Sequence, residues 1–319
     1  MTNETSVVAQ VPASTSNCGP GFDVLSIGLT LYNFIRLSRN DSGRIEPVGG
    51  RASDTAIVSM VTAAADAFSR EASVGACGFS FEIWGEVPPA RGLGSSAIIY
   101  AGTVAALNAL HGEPLDRKRL VAIGSDLDGN PENVAASFFG GFCVSRTCPE
   151  TRAYLDTVCV PVSGELCFVV ISPEVRVLTT VAREALPDSF PMNDVVRSLN
   201  SLAYIVSVFS SGEYQKLTDA VTDFIHQPYR ERLFPYVKEM IEAGRGAGAY
   251  TGWLSGSGSS TLCVAPPGKA REVGEAMSKV LRANRVDYRL FQLKADNDGL
   301  TVIGDDGRIP TISSRTDAI

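Results

Sequence analysis

The stretch Arg91-Gly92-Leu93-Gly94-Ser95-Ser96-Ala97 stands between an alternating segment and a long apolar one, and that placement decides how the chain is read. Upstream, Phe79, Phe81, Ile83 and Val87 alternate with Ser80, Glu82, Trp84 and Glu86, the period of a half-buried strand. Downstream, residues 97–110 are apolar nearly all round, with Thr103 and Asn108 the main interruptions, which predicts a helix buried inside a domain. The first amides of such a helix lack intrahelical partners, and its dipole puts partial positive charge at that end. Gly92 and Gly94 allow close main-chain approach to a ligand, and Ser95 and Ser96 add hydroxyl donors. Strand, Gly/Ser loop and helix start together form an anion trap, with phosphate the expected occupant. The pattern G-x-x-x-x-G-K-[ST] is absent, since Gly268-Lys269-Ala270 lacks both the upstream glycine and the hydroxyl; a nucleoside triphosphate would therefore use a different loop.

Composition limits the alternatives. The 319 residues suffice for one large domain or two ordinary ones. An apolar fraction of 45% excludes wholesale disorder. A net charge of −7 supplies no global basic field for nucleic acid or an anionic membrane, so neither is an expected partner. A polyanionic substrate must be held by local cations and backbone dipoles. No apolar run approaches the roughly 20 residues that span a bilayer, and the start of the chain, with Glu4 and no early Lys or Arg, does not resemble a secretory signal. Seven cysteines without a C-x-x-C pair, beside two histidines, argue against zinc or a disulfide framework and for reduced, mostly buried thiols in a cytoplasmic protein.

Along the chain, strands are expected at 7–11, ended by Pro12, at 25–37, through 144, at 158–160, 166–171, 249–254, 261–264 and 286–293. Helices are expected at 54–68 with Ser53 as N-cap, 116–123, 134–139, 179–185, 192–209, 233–243 and 270–281. The pattern restarts near Pro161-Val162-Ser163-Gly164, giving units at 1–162 and 163–304 and a polar tail at 305–319. Strands and helices mix in both, hence an α+β protein of two domains with a cleft between them.

Three further segments carry chemistry. In Asn17-Cys18-Gly19-Pro20-Gly21-Phe22-Asp23, Asn17 offers donor and acceptor and Asp23 a carboxylate for an ammonium group, although taken alone the stretch reads better as a Pro/Gly turn with Asn17 as turn former. In Asp128-Gly129-Asn130-Pro131-Glu132-Asn133, carboxylates and amides suit Mg²⁺ and a hydroxyl, or else Asn130-Pro131 caps a helix whose positive end Glu132 stabilises. Leu254-Ser255-Gly256-Ser257-Gly258-Ser259-Ser260 lies between strands, where glycines let a backbone pass close to a phosphate or to another segment.

In order and spacing the four segments resemble the GHMP small-molecule kinases, and most closely their homoserine kinase branch, over about residues 5 to 295. Gly92 to Ala97 is similar to the family's ATP phosphate loop, Gly129 to Val134 followed by Phe139-Gly140-Gly141 to its G-H-P-D-N-V block, and Ser255 to Ser260 to its S-G-A-G-P-[ST] loop. Thr179 and Arg183 before Leu186-Pro187, and Gln227-Pro228-Tyr229-Arg230, resemble substrate-contacting segments. The resemblance implies an N-terminal ribosomal-protein-S5-like domain and a C-terminal ferredoxin-like domain. It implies ATP-dependent phosphorylation of the hydroxyl of an amino alcohol, L-homoserine, in threonine biosynthesis, with ATP and Mg²⁺ as cofactors, and leaves a homodimer open. ATP would lie on Arg91, Gly92, Leu93, Gly94, Ser95 and Ser96 with Gly256 and Gly258; Mg²⁺ on Ser96 and Asp128; the amino alcohol among Asn17, Asp23, Asn130, Thr179, Arg183 and Arg230. The catalytic group would be Asn133, Asn17 and Arg183, with the proton passing directly to phosphate. A planar arginine fork suits a carboxylate, so Arg183 and Arg230 are sensible clamps.

The chain departs from the family pattern at Asn130 for His, Glu132 for Asp, Asp128 for Glu and Ser259 for Pro. Asn130 keeps a GHMP kinase for another small alcohol as an alternative, and an ATP-binding relative without turnover is a second. The run Gly244-x-Gly246-x-Gly248 does not support a dinucleotide-binding oxidoreductase, because it follows a helix and lacks the third glycine at the required spacing.

Overall fold

The computed structural model describes residues 5–75, 77–175 and 179–304; the tail expected from residue 305 lies outside them. The chain opens with two long antiparallel strands, β1 (Ser6–Ser16) and β2 (Leu25–Arg39), joined by the turn that carries Asn17 and Asp23. There follow β3 (Ile45–Pro47), α1 (Thr55–Ala72), β4 (Phe79–Gly85), α2 (Ser95–Leu110), α3 (Arg117–Asp128) and α4 (Pro131–Phe139), then a hairpin of β5 (Phe142–Thr147) and β6 (Tyr154–Val160). The second half holds β7 (Cys167–Pro173), α5 (Thr179–Glu184), α6 (Met192–Ser211), α7 (Leu217–Ala220), α8 (Gln227–Arg230), α9 (Val237–Gly246), β8 (Thr251–Leu254), β9 (Thr261–Ala265), α10 (Ala270–Ala283) and β10 (Tyr288–Leu293), and ends in β11 (Thr301–Gly304).

The strands form two sheets. The first has seven strands along the path β11-β1-β2-β4-β3, with β5 and β6 attached through the start of β2. The second is antiparallel with order β10-β7-β9-β8. Numbered in chain order that is 4-1-3-2, the order of the ferredoxin-like domain the resemblance implied. The expected crossing near residues 161–164 falls between β6 and β7, where the chain leaves the first sheet for the second. The expected unit at 163–304 nevertheless returns its last strand, β11, to pair with β1 over Val7–Gln10. Four residues are too few to show a period, so that strand had no signal of its own.

Pro12 does not end the first strand. It faces Tyr32 at a register shift, beyond Gln10, the last β1 residue paired with β11. A missing N–H there breaks no ladder on that side. The cap of α1 is Asp54 rather than Ser53: its carboxylate accepts from the Ala56 amide at 2.9 Å. The helix expected from 233 begins only at Val237, with the short α8 before it.

Helix α2 runs through the core against β1 and β2, flanked by α1, α3 and α4. Ile98, Val104 and Leu107 are fully buried, each such side chain contributing roughly 1.5–3 kcal/mol. Its polar interruption Asn108 is buried too, and its amide exchanges two 3.0 Å hydrogen bonds with the Leu115 backbone, fixing the turn into α3. Phe142 of β5 stacks on Phe209 of α6 at 4.2 Å and ties the second half to the first sheet. Among the described residues, no helix is long and apolar enough to cross a membrane.

Candidate active site

A cavity of about 370 Å³ opens where the four motif segments meet. Helix α2 supplies its floor, starting from Gly94 in the left-handed region at φ 71°. Gly92 and Gly94 line this cavity, and each also lies against a neighbouring segment. A Cβ on Gly92 would run into the Ser255 carbonyl, and one on Gly94 into the Ser14 hydroxyl. The loop 255–260 is clamped over the loop that precedes α2: Ser255 Oγ donates to Gly92 O at 2.6 Å, and the Ser260 amide donates to Arg91 O at 3.0 Å. Ser255 Oγ also bonds Thr15 Oγ1 at 2.9 Å, and Trp253 Nε1 donates to the same oxygen at 3.0 Å. Two distant Gly/Ser loops thus form one wall, because glycine permits backbone contact where any side chain would hold them apart.

Of the residues expected to hold the nucleotide, Gly92, Gly94, Ser95, Ser96 and Gly256 line the cavity. Arg91 does not: it is buried and its guanidinium turns to Glu174 at 2.8 Å. Leu93 is fully buried in the core, and Gly258 packs on Phe234. Beyond the loop the cavity continues between Ile57, Met60, Ile83, Val87 and Ile99, an apolar slot of the kind that accepts a flat ring. Ile57 and Met60 belong to α1, Ile83 to β4 and Ile99 to α2, while Val87 lies in the loop after β4; none of them carried a ligand signal in the sequence.

At the other end lie the polar groups. Asp128, the last residue of α3, is hydrogen-bonded by Ser96, and burial still raises its carboxyl to about 6. The two expected Mg²⁺ ligands are therefore side by side. Glu132 had been read as a helix-end charge, but it is almost fully buried and lines the cavity. Burial first, and the nearby Asp23 second, push its carboxyl up to about 8. One oxygen accepts from Asn133 Nδ2 at 3.1 Å, while Oε2 has no partner among the described residues. Asn133 is itself fully used, accepting from Ser14 Oγ at 2.8 Å and donating to Ser16 Oγ at 3.1 Å. It positions Glu132 rather than offering a free amide.

Asn17 is likewise committed. Its amide donates to Gly256 O at 3.0 Å and accepts from the Asp23 amide at 3.1 Å, bracing the turn in which both residues adopt positive φ. Asp23 is held by Arg183 from α5, with both oxygens 3.0 Å from one guanidinium nitrogen, and Arg152 from the β5–β6 turn comes within 3.6 Å. Arg230 is buried and donates to Gly256 O at 3.0 Å and Ala182 O at 3.2 Å. Burial lowers it to about 10, so it remains a cation at neutral pH. Arg183 and Arg230 both lie over the Phe22 ring, at 5.3 and 5.0 Å, and Phe22 stacks on the buried His226. Thr179, one turn before Arg183, also lines the cavity. Asn130 makes no capping bond to α4; its amide donates to Gly129 O at 3.0 Å and accepts from Arg183 at 3.1 Å. The sequence reading missed Glu132, Phe22 and Arg152 as site residues; the first two lay within the quoted motifs, whereas nothing in the sequence singled out Arg152.

The cavity thus joins a helix start, an apolar slot, two adjacent oxygen ligands and a cluster of opposite charges. Comparison with known proteins agrees. The profile for the GHMP kinases N terminal domain matches residues 59–141, and that for the GHMP kinases C terminal region matches residues 208–283. A homoserine kinase of Caldanaerobacter subterraneus subsp. tengcongensis is 32% identical over 300 residues, 93% of this chain and 95% of its own length. One from Prochlorococcus marinus is 35% identical over 300 residues, with 92% and 94% covered. The crystal structure of homoserine kinase from Cytophaga hutchinsonii superposes with a TM-score of 0.85 at 26% identity, covering 95% of this chain and 99% of that one. The chain therefore belongs to the GHMP kinases, ATP-dependent enzymes that phosphorylate a hydroxyl group, and within them to the family of the homoserine kinases.

Proposed function

We propose that this protein transfers the γ-phosphoryl group of ATP to the side-chain hydroxyl of L-homoserine, giving O-phospho-L-homoserine and ADP, a step of threonine biosynthesis. One observation carries the reading: a carboxylate and two guanidinium groups, Asp23, Arg183 and Arg230, sit in the same cavity as the N-terminus of α2. A zwitterionic amino acid offers an ammonium to Asp23 and a carboxylate to the arginines, which leaves its hydroxyl directed toward the nucleotide. The polyphosphate rests on the first amides of α2, and the adenine fills the slot between Ile57, Met60 and Ile99.

Ser96 and Asp128 are hard oxygen donors, and the raised carboxyl of Asp128 is what burial without a compensating cation produces. They fit Mg²⁺, which neutralises phosphate charge when bound. Phosphoryl transfer passes through a loose transition state, so alignment and charge neutralisation supply most of the acceleration. Glu132, protonated at neutral pH, is not a strong base. Braced by Asn133, it holds the acceptor hydroxyl in line, and the hydroxyl proton passes to the transferred phosphate. Asn130 in place of histidine favours, as a second reading, a related small amino alcohol in the same pocket. ADP release with L-homoserine, set beside L-threonine, mevalonate and shikimate, tests the assignment. Release that depends on L-homoserine is expected; release only with another alcohol would reassign the acceptor, and none with any would leave only nucleotide binding.

A further inference from the structure

The kinase reading uses none of the cysteines, yet two of them are placed for chemistry of their own. Strands β5 and β6 pair antiparallel with Cys143 directly opposite Cys159, and their Sγ atoms lie 3.5 Å apart. Residues opposite each other on antiparallel strands have Cα atoms about 4.5–5.5 Å apart, inside the roughly 4.4–6.8 Å range that a disulfide spans. Closing the bond therefore asks for side-chain rotation and not for strand separation. The two thiols differ in access. Cys143 is buried and its S–H also reaches Gly140 O at 3.1 Å. Cys159 is exposed, on the outer strand of the hairpin.

The surroundings favour the outer thiol as the reactive one. The hydrogen bond between the two thiols, and after it the Arg117 guanidinium at the start of α3, hold the Cys159 thiol below its ordinary value, against burial and Asp156. The Cys143 thiol is pushed up by its bond to Cys159 and by burial. An accessible, acidified thiol beside a shielded second one is the pairing found in redox-active dithiols. Of the other five cysteines none is hydrogen-bonded to a cysteine among the described residues: Cys18, Cys167 and Cys263 are buried, Cys77 is half-buried, and Cys148 bonds Glu150 at 3.0 Å.

We propose that Cys143 and Cys159 are a thiol–disulfide exchange site, oxidised to an intramolecular disulfide by low-molecular-weight disulfides such as oxidised glutathione. The Cys159 thiolate attacks one sulfur of the reagent disulfide, whose S–S bond breaks, and the departing thiolate takes up a proton. Cys143 then gives up its proton and attacks Cys159 Sγ, expelling the second small thiol. Two protein thiols are oxidised and one small disulfide is reduced to two thiols. The new bond closes the hairpin whose turn carries Arg152 toward Asp23, and so tightens the substrate end of the cavity from outside it. The inference does not depend on what that cavity binds.

The test is incubation of the full-length native protein with oxidised glutathione, read by intact mass, by thiol titration after denaturation and by peptide mapping. The wild-type protein is expected to lose about 2 Da with no retained glutathione, and its titratable thiols to fall by two from the seven of the sequence. The joined peptides should contain Cys143 and Cys159. Closing so short a loop should raise Tm by about 2–6 °C. Cys143→Ser is expected to stop at the mixed disulfide, retaining about 305 Da on Cys159. Cys159→Ser, which alters an exposed side chain and should fold, is expected to leave Cys143 reduced. Retention of all seven thiols by the wild-type protein, a bond joining any other pair, or a glutathione adduct that never closes would each overturn the proposal.

Discussion

Asp23 and Arg183 hold each other across the cavity, with both carboxylate oxygens 3.0 Å from one guanidinium nitrogen. One comes from the β1–β2 turn and the other from α5 in the second half of the chain. These are the two groups that would receive the ammonium and the carboxylate of an amino-acid substrate. On the proposed function, binding would exchange one internal ion pair for two pairs with the substrate, with Asn130 placed to accept from the arginine.

The exchange can be measured. A charge-assisted hydrogen bond contributes about 1.5–3 kcal/mol, so Arg183→Ala is expected to raise KM for L-homoserine about ten- to hundredfold. KM for ATP should change little, because the partners of Arg183 are Asp23 and Phe22 and not the amides of α2. Steady-state kinetics with each substrate varied in turn checks this. An equal rise in both constants would place Arg183 outside the acceptor pocket.

Asp128 sets an acid limb. Burial raises its carboxyl from 3.8 to about 6, and only the ionised form holds a cation. Activity should fall as pH drops through about 6. A bound cation favours the charged form, so more Mg²⁺ should move the limb to lower pH. Asp128→Asn should cost at least about a hundredfold in kcat/KM and lose the limb. A limb in the wild-type rate profile that ignores Mg²⁺ would contradict the role.

Glu132 gives a stability signature of the opposite sign to an ion-paired carboxylate. Its carboxyl rises from 4.5 to about 8, so the folded protein keeps a proton that the unfolded chain gives up. Its contribution is complete below about pH 4.5 and is lost as pH rises toward 8. Glu132→Gln has no proton to lose, so between about pH 5 and pH 8.5 its Tm should fall less than that of the wild-type protein. Parallel melting curves across that range would show that Glu132 is ionised in the fold.

Gly92 joins the two halves. A Cβ there meets the Ser255 carbonyl, so Gly92→Ala must part the two loops. It is expected to lower stability by about 1–3 kcal/mol and to raise KM for ATP. Ala at Gly112, where nothing lies near and only positive φ is at stake, is the control, expected to leave KM for ATP alone. Denaturant unfolding and nucleotide kinetics separate the two.

Much of this is legible in the amino-acid sequence. Alternation at Phe79–Ile83 and the nearly continuous apolar run of α2 mark a strand–loop–helix unit, because periodicity records which faces are buried. The four motif segments converge as their resemblance implied. Periodicity says nothing about which distant groups meet. Glu132 read as a helix-end charge because only the packing of β1, β2 and α4 shows that it is buried and half unsatisfied. That Gly92 and Gly94 also lie against Ser255 and Ser14 is likewise not readable from the sequence. Arg152 lies in an ordinary polar turn, and only the pairing of β5 with β2 carries it to Asp23.

The most direct measurement is a crystal structure of the protein with a non-hydrolysable ATP analogue and L-homoserine. The account expects the polyphosphate on the amides of Ser95 and Ser96, the substrate ammonium within hydrogen-bonding distance of Asp23 and its carboxylate on Arg183 and Arg230. A polyphosphate bound away from the start of α2, or an amino acid bound with its charges elsewhere, would contradict it.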